Sequence, residues 1–310
     1  ALRICLQKKE QAILFLNRRG YAPVVQCPEC ENTINCDACS LSLVYHQSSE
    51  KLCCHQCDHT QKFPKICPNC GTQTAMRLVG TGIEQIEQDL RVVFPDARLL
   101  RMDRDTLHGK HALSEMQQKI QSHEVDIVIG TQLVTKGHDF PNVTLVGVIL
   151  ADLGLNLPDF RSAERTFQLL TQVAGRAGRG EKPGRVLIQT NNPHHHSLLT
   201  AQLQDYASFV SQELPLRERF RQPPFMNLAS VLCISRDEHR AKDLALSLRQ
   251  NLRSNGQGQV ICQGPAEAPI RRINHRFRWQ VLIKASSAGL IRKIFEKSLL
   301  GPEPLICGRE

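Results

Sequence analysis

Four Cys-x-x-Cys pairs fall in one short stretch: Cys27/Cys30, Cys36/Cys39, Cys54/Cys57 and Cys67/Cys70. One such knuckle aims two thiolates at a common point, and two knuckles complete a tetrahedral four-sulfur zinc site. Four knuckles imply two zinc ions, held by an all-cysteine module over residues 27–73. Disulfides are the competing use of cysteine, but disulfide-rich domains are short throughout. Here the knuckles sit inside a 310-residue chain that otherwise has an ordinary α/β texture, so zinc in a reducing cytosol is the better reading. Cys53 and His55 adjoin a knuckle and are surplus to two complete sites. Cys5, Cys233, Cys262 and Cys307 are scattered and read as small apolar or surface thiols.

A chain this long accommodates two domains and a small module. It shows no apolar run long enough to span a bilayer and no secretory h-region, so no membrane partner is expected and the location implied is cytoplasmic. On either side of the knuckles, short apolar strands alternate with amphipathic helices. Strands are predicted at 12–16, 98–102, 126–130, 143–150 and 184–189, and helices at 83–90, around 113–120 and at 162–173. That alternation predicts a parallel sheet with helices on both faces. The texture changes at residues 215–224, which carry several arginines and a Pro-Pro pair and read as a linker. Beyond it, strands at 231–235 and 279–284 and helices at 240–252 and 288–299 predict a small α+β domain. The expected domains are thus 1–26 with 74–214, an insertion at 27–73, and 215–310.

Charge is unevenly placed. The last segment, residues 215–310, holds 17 of the 39 basic residues but 8 of the 30 acidic ones, which accounts for the whole net charge of +9. A basic C-terminal third beside a neutral front points to a polyanion, with a solvated basic surface as the bland alternative. Arg271, Arg272, Arg276 and Arg278 around Trp279 combine cations with one stacking surface, although Trp279 on a strand also suits a core position.

Two further segments carry chemistry. Gly130-Thr131-Gln132-Leu133-Val134-Thr135-Lys136-Gly137-His138 ends a strand in a loop lined by hydroxyl, amide and ammonium groups, where open α/β sheets bind ligands. Gln172-Val173-Ala174-Gly175-Arg176-Ala177-Gly178-Arg179 sets two guanidinium groups three residues apart among small residues. Planar, permanently charged forks suit phosphoryl oxygens whose charge grows in a transition state. Gly80, Thr81 and Gly82 open a helix whose amide groups suit a backbone phosphate.

These two segments resemble motifs V and VI of superfamily 2 helicases, which lie on the second of two RecA-like lobes. With the inserted knuckles and the Asp159-Phe160-Arg161-Ser162-Ala163-Glu164-Arg165 segment, the chain resembles the bacterial replication-restart helicases, the primosomal protein N′ (PriA) family. The resemblance is dense to about residue 225 and thins beyond, where Pro223-Pro224 and Arg278-Trp279-Gln280 still match. It implies a RecA-like second helicase lobe, a two-zinc insertion and a small α+β C-terminal domain. It also implies a nested zinc pairing: Cys27, Cys30, Cys67 and Cys70 for one ion, Cys36, Cys39, Cys54 and Cys57 for the other. Spacing alone leaves sequential pairing open.

By the same resemblance, Arg176 and Arg179 act as arginine fingers and Gln172 positions water or phosphate, while Gly137 and Asp139 join the two arginines in contacting nucleotide. Thr131, Gln132, Thr135, Lys136 and His138, with residues 80–82 and Arg271, Arg272 and Arg278, are the expected DNA contacts. The implied activity is ATP-dependent 3′–5′ unwinding that recognises stalled or branched forks and assembles the primosome. ATP and Mg would serve the intact enzyme, and the implied partners are single-stranded and fork DNA, single-strand-binding protein and other primosome proteins at the nucleoid. No Gly-x-x-x-x-Gly-Lys-Ser/Thr loop and no Asp-Glu-x-His box occurs. The family carries them on the first lobe, so the chain reads as a C-terminal fragment, inactive as an ATPase by itself. Rival readings are a zinc-stapled DNA- or protein-binding scaffold without chemistry, and a zinc-ribbon nucleic-acid protein.

Overall fold

The computed structural model describes residues 1–16, 24–39, 41–46, 51–54, 56–57, 59–79, 83–102, 112–131, 140–155, 159–178 and 182–299. The chain opens with α1 (Leu2–Gln7) and β1 (Gln11–Leu16). Five short strands follow: β2 (Val24–Gln26), β3 (Val44–His46), β4 (Lys51–Cys53), β5 (Thr60–Lys62) and β6 (Arg77–Val79). The α/β alternation then resumes with α2 (Ile83–Val93), β7 (Leu99–Met102), α3 (Ala112–Gln121), β8 (Ile127–Gly130), β9 (Val143–Ile149), α4 (Ser162–Ala174), β10 (Arg185–Ile188), α5 (His196–Gln202) and α6 (Tyr206–Arg219). Last come β11 (Asn227–Ser235), α7 (Glu238–Gly256), β12 (Val260–Ile273), β13 (Arg276–Ala285) and α8 (Ala288–Leu299).

The first compact unit takes in residues 1–22 and 80–213. Its five strands are all parallel, in the order β10-β9-β1-β8-β7. Every residue of β1 is buried, as befits a strand flanked on both edges and covered on both faces. Alternation along it sets the layers. Ile13 and Phe15 join Val128, Val146 and Val148 against Ile120 of α3, Phe167, Leu170 and Val173 of α4 and Leu198 of α5. Leu14 and Leu16 join Ile127 and Ile129 against Ile83, Ile86 and Leu90 of α2. Each of these fully buried side chains contributes roughly 1.5–3 kcal/mol. Gly147 of β9 leaves room for Leu14, whose Cδ2 would lie 2.7 Å from a Cβ there.

The second unit takes in residues 23–79 and 214–310. In its C-terminal part, β11, β13 and β12 form an antiparallel sheet in that order. One face carries Cys233, Val260, Cys262, Val281 and Ile283 under Ala245, Leu248 and Leu252 of α7 and Ile291 and Ile294 of α8. Asp237 starts α7 as a cap, its carboxylate accepting from Arg240 N. The linker expected at 215–224 is partly wrong. α6 continues through Pro215 to Arg219, and Lys284 reaches back to donate to Phe220 O at 2.8 Å, so this segment is fastened to the C-terminal sheet.

Candidate metal centres and the paired-arginine segment

The knuckles are brought together by strand pairing. β2 runs antiparallel to β6, with Val25 opposite Leu78 and Gln26 opposite Arg77. That register sets Cys27 and Cys30, just after β2, beside Cys67 and Cys70, just before β6. β3 and β4 pair as Tyr45 with Leu52, and the inner knuckles close on each other within that frame. The result is two groups, Cys27, Cys30, Cys67 and Cys70, and Cys36, Cys39, Cys54 and Cys57; within each, all four sulfurs lie within 4.8 Å of one another.

Distances test whether the donors suit a metal. Cys27 Sγ lies 3.6 Å from Cys70 Sγ, Cys30 Sγ 3.7 Å from Cys67 Sγ, and Cys36 Sγ 3.7 Å from Cys57 Sγ. A tetrahedron with Zn–S bonds of about 2.3 Å has edges of about 3.8 Å, whereas a disulfide brings sulfurs to about 2.05 Å. The thiolates are spaced for a shared ion and not for each other. Zinc held here would staple the strands outright, since such sites contribute folding energy. Buried Leu43 and Leu52 pack among the inner cysteines.

All four knuckles are the same turn. The Cys27, Cys36, Cys54 and Cys67 amides donate to the carbonyls of Asn32, Leu41, His59 and Thr72, at 2.9, 2.9, 2.8 and 2.9 Å. In the outer pair, Glu31 and Gly71 also donate back to Cys27 O and Cys67 O, and both take left-handed backbone, φ 56° and 72°. Around the outer site, Asn69 Nδ2 donates to Cys30 Sγ at 3.5 Å. That bond and one from the Asn32 backbone pull the Cys30 thiol down to about 6, toward the thiolate a metal requires. Nothing in the spacing of the sequence marked Asn69 for this role.

Thr131 and the turn that carries Arg176 lie apart in the parallel unit. Thr131 follows the carboxyl end of β8 and its amide points to Met102 O at 3.4 Å. Gln172 is exposed near the end of α4 and Arg176 is half-buried in the turn that follows. That turn closes as Gly178 N donates to Val143 O at 3.0 Å. Val143 pairs with Gln11 at the start of β1, while Gly130 pairs with Phe15 near its end. Four residues of strand, about 13 Å, therefore lie between Thr131 and the Arg176 turn, at opposite ends of the strands. Gly178, at φ 70°, packs so closely on Gly184 that a Cβ on either would fall 2.4 Å from the other's backbone nitrogen. The same end of the strands holds Glu10, which accepts from Thr144 Oγ1 at 2.8 Å and pairs with Lys182 at 3.2 Å; the hydroxyl and then the ammonium keep its carboxyl below the ordinary range. Gly80, Thr81, Gly82, Gln132, Thr135, Lys136, Gly137, His138, Asp139 and Arg179 lie outside the described residues, as does His55.

The C-terminal arginines are already engaged. Arg271 Nη2 meets both carboxylate oxygens of Glu238, at 2.5 and 2.7 Å, and Arg278 Nη1 donates to Ile270 O at 3.3 Å. Trp279 packs against the C-terminal core, with Lys242 Nζ 5.4 Å from its ring centre. Arg278 and Trp279 are adjacent on β13 and so project to opposite faces.

Residues 36–62 match the family model "PriA DNA helicase Cys-rich region (CRR) domain" and residues 218–302 match "Primosomal protein N C-terminal domain". Among curated relatives, the replication restart protein PriA of Bacillus subtilis (strain 168) is 42% identical over 295 residues, covering 94% of this chain and 36% of that protein. The chain is of the PriA family, matching the C-terminal portion of its members. PriA of Synechocystis is 40% identical over 284 residues, covering 90% of this chain and 34% of that protein. PriA of Rickettsia conorii is 37% identical over 293 residues, covering 94% and 45%. The chain thus spans between about a third and a half of the length of these relatives. Among solved structures, the Pyrococcus furiosus Hef helicase domain aligns over 60% of this chain and 23% of that chain at 17% identity, with a TM-score of 0.27. No helix among the described residues is long and apolar enough to cross a membrane.

Proposed function

We propose that this chain supplies the second RecA-like lobe, the zinc module and the C-terminal domain of an ATP-dependent 3′–5′ DNA helicase that engages branched forks and restarts replication. What supports this most is the PriA match over 94% of the chain, together with the five-stranded parallel sheet. In this reading Arg176 and Arg179 neutralise charge on the transferred phosphoryl group and Gln172 orients water or phosphate, with Gly137 and Asp139 beside the nucleotide. In the same reading Thr131, Gln132, Thr135, Lys136 and His138, residues 80–82, and Arg271, Arg272 and Arg278 contact single-stranded DNA.

The inner and outer cysteine groups hold structural zinc and present the module to DNA or to other primosome proteins, single-strand-binding protein among them. The test is fork unwinding and DNA-stimulated ATP turnover by the full-length protein. Arg176→Ala should lower turnover by about 10³-fold or more with zinc content unchanged; turnover within about threefold of the unsubstituted enzyme would remove the arginine role.

A further inference from the structure

The inner cysteine group is joined to a segment more than two hundred residues away in the chain. β12 and β13 form a long antiparallel hairpin whose last pair is Ile273 with Arg276. Its two turn residues, Asn274 and His275, both take left-handed backbone, φ 49° and 60°. This tip reaches the inner knuckles. Asn274 N donates to Cys39 Sγ at 3.4 Å, His275 N donates to Ala38 O at 2.7 Å, and Ile273 packs on the apolar cluster of Val25, Ile34, Leu43 and Leu52. Both backbone donors therefore fall on the Cys36/Cys39 knuckle, one of them on a ligand sulfur.

Four thiolates around one Zn²⁺ leave two excess negative charges, and a backbone amide aimed at a ligand sulfur offsets part of that charge. Partners that orient and stabilise ligands are worth about 10- to 100-fold in metal affinity. Coupling is reciprocal: whatever the tip gives to metal binding, metal binding returns to the ordering of the tip. The hairpin also carries Arg271, Arg272, Arg276 and Arg278, so its position decides where four of the C-terminal segment's 17 basic residues are presented.

We propose that the inner zinc site acts as a latch that fixes the β12–β13 hairpin, with Asn274 as its positioning residue, whereas the outer site leaves the hairpin untouched. The proposal rests on the geometry of the second unit alone and is independent of the helicase reading. It is tested in the zinc-loaded chain by amide hydrogen exchange over residues 268–280 and by the kinetics of zinc release to a chromogenic chelator. Cys39→Ser should speed exchange at the tip on the order of tenfold, while Cys27→Ser, in the outer site, should not. In the reverse direction, Asn274→Pro removes the donor and should weaken one of the two zinc ions by about tenfold or more. Asn274→Gly keeps the donor and suits the left-handed turn, and should restore parental release. Equal exchange in the two cysteine variants, or equal zinc release from the proline and glycine variants, would overturn the latch.

Discussion

Replacing Gly184 by alanine tests whether the paired-arginine turn is held by backbone packing. A Cβ at this position would sit 2.4 Å from Ala177 C and Gly178 N and 2.6 Å from Ala177 Cβ. Ordinary van der Waals contact begins near 3.4 Å, so the deficit is about 1 Å against backbone atoms that cannot rotate away. The turn must move by that amount, and its hydrogen bond from Gly178 N to Val143 O moves with it. Overpacking of this kind costs about 1–3 kcal/mol, which for a unit of this size lowers Tm by roughly 2–12 °C. If the arginines act on the reacting phosphoryl as proposed, a 1 Å displacement in the intact protein costs on the order of 100-fold in turnover. Differential scanning calorimetry gives the first number and DNA-stimulated ATP turnover the second. Gly289→Ala is the control, because nothing lies within 4 Å of a Cβ there and it occupies the first turn of α8; it should be neutral or stabilising by up to about 1 kcal/mol. An unchanged Tm together with unchanged turnover in Gly184→Ala would show that the turn is not clamped as described.

Two other outcomes follow from single residues. Glu31 adopts φ 56° where the equivalent outer knuckle has Gly71 at 72°, so Glu31→Gly should stabilise the module by about 0.5–1 kcal/mol, read as a higher chelator concentration for half-unfolding; a lower one would contradict the matching of the two turns. His195 caps α5 by accepting from Ser197 N, and burial, then the neighbouring His196, hold its pKa below the ordinary 6.5. The unfolded chain takes up this proton first as pH falls, so the contribution is complete above about pH 6.5 and is lost below it. His195→Asn supplies a capping oxygen in place of the ring nitrogen and should flatten the stability profile below about pH 6.5; an identical profile would assign the acid sensitivity elsewhere.

The parallel sheet could be read from the chain because β1, β8 and β9 are apolar runs that no surface strand would tolerate, and because Ile83, Ile86 and Leu90 repeat at helical spacing. The small strands of the knuckle module carry two or three telling residues each and gave no pattern. β12 also escaped, since Gly264, Pro265 and Pro269 interrupt it and its pairing partner β13 alone supplies the reason to be a strand. Pro215 signalled a break that the helix does not make; Glu213 and Arg217, on either side of it, are buried. The number of metal sites was legible from cysteine spacing, but the nested grouping was not. It depends on β2 finding β6 across some fifty residues, a long-range pairing that local spacing does not encode. Separation of Thr131 from Arg176 was hidden for a similar reason: both segments look like ligand loops, and only the direction of α4 back along the sheet puts them at different ends of the strands. The contact of Asn274 with Cys39 had no signal at all in the sequence.

Metal content and sulfur coordination test the central claim most directly. Elemental analysis with X-ray absorption at the zinc edge should give two zinc ions per chain, each in a sulfur-only shell at about 2.3 Å. One ion per chain, or nitrogen or oxygen in the first coordination sphere, would contradict two closed four-cysteine sites and the staple built on them.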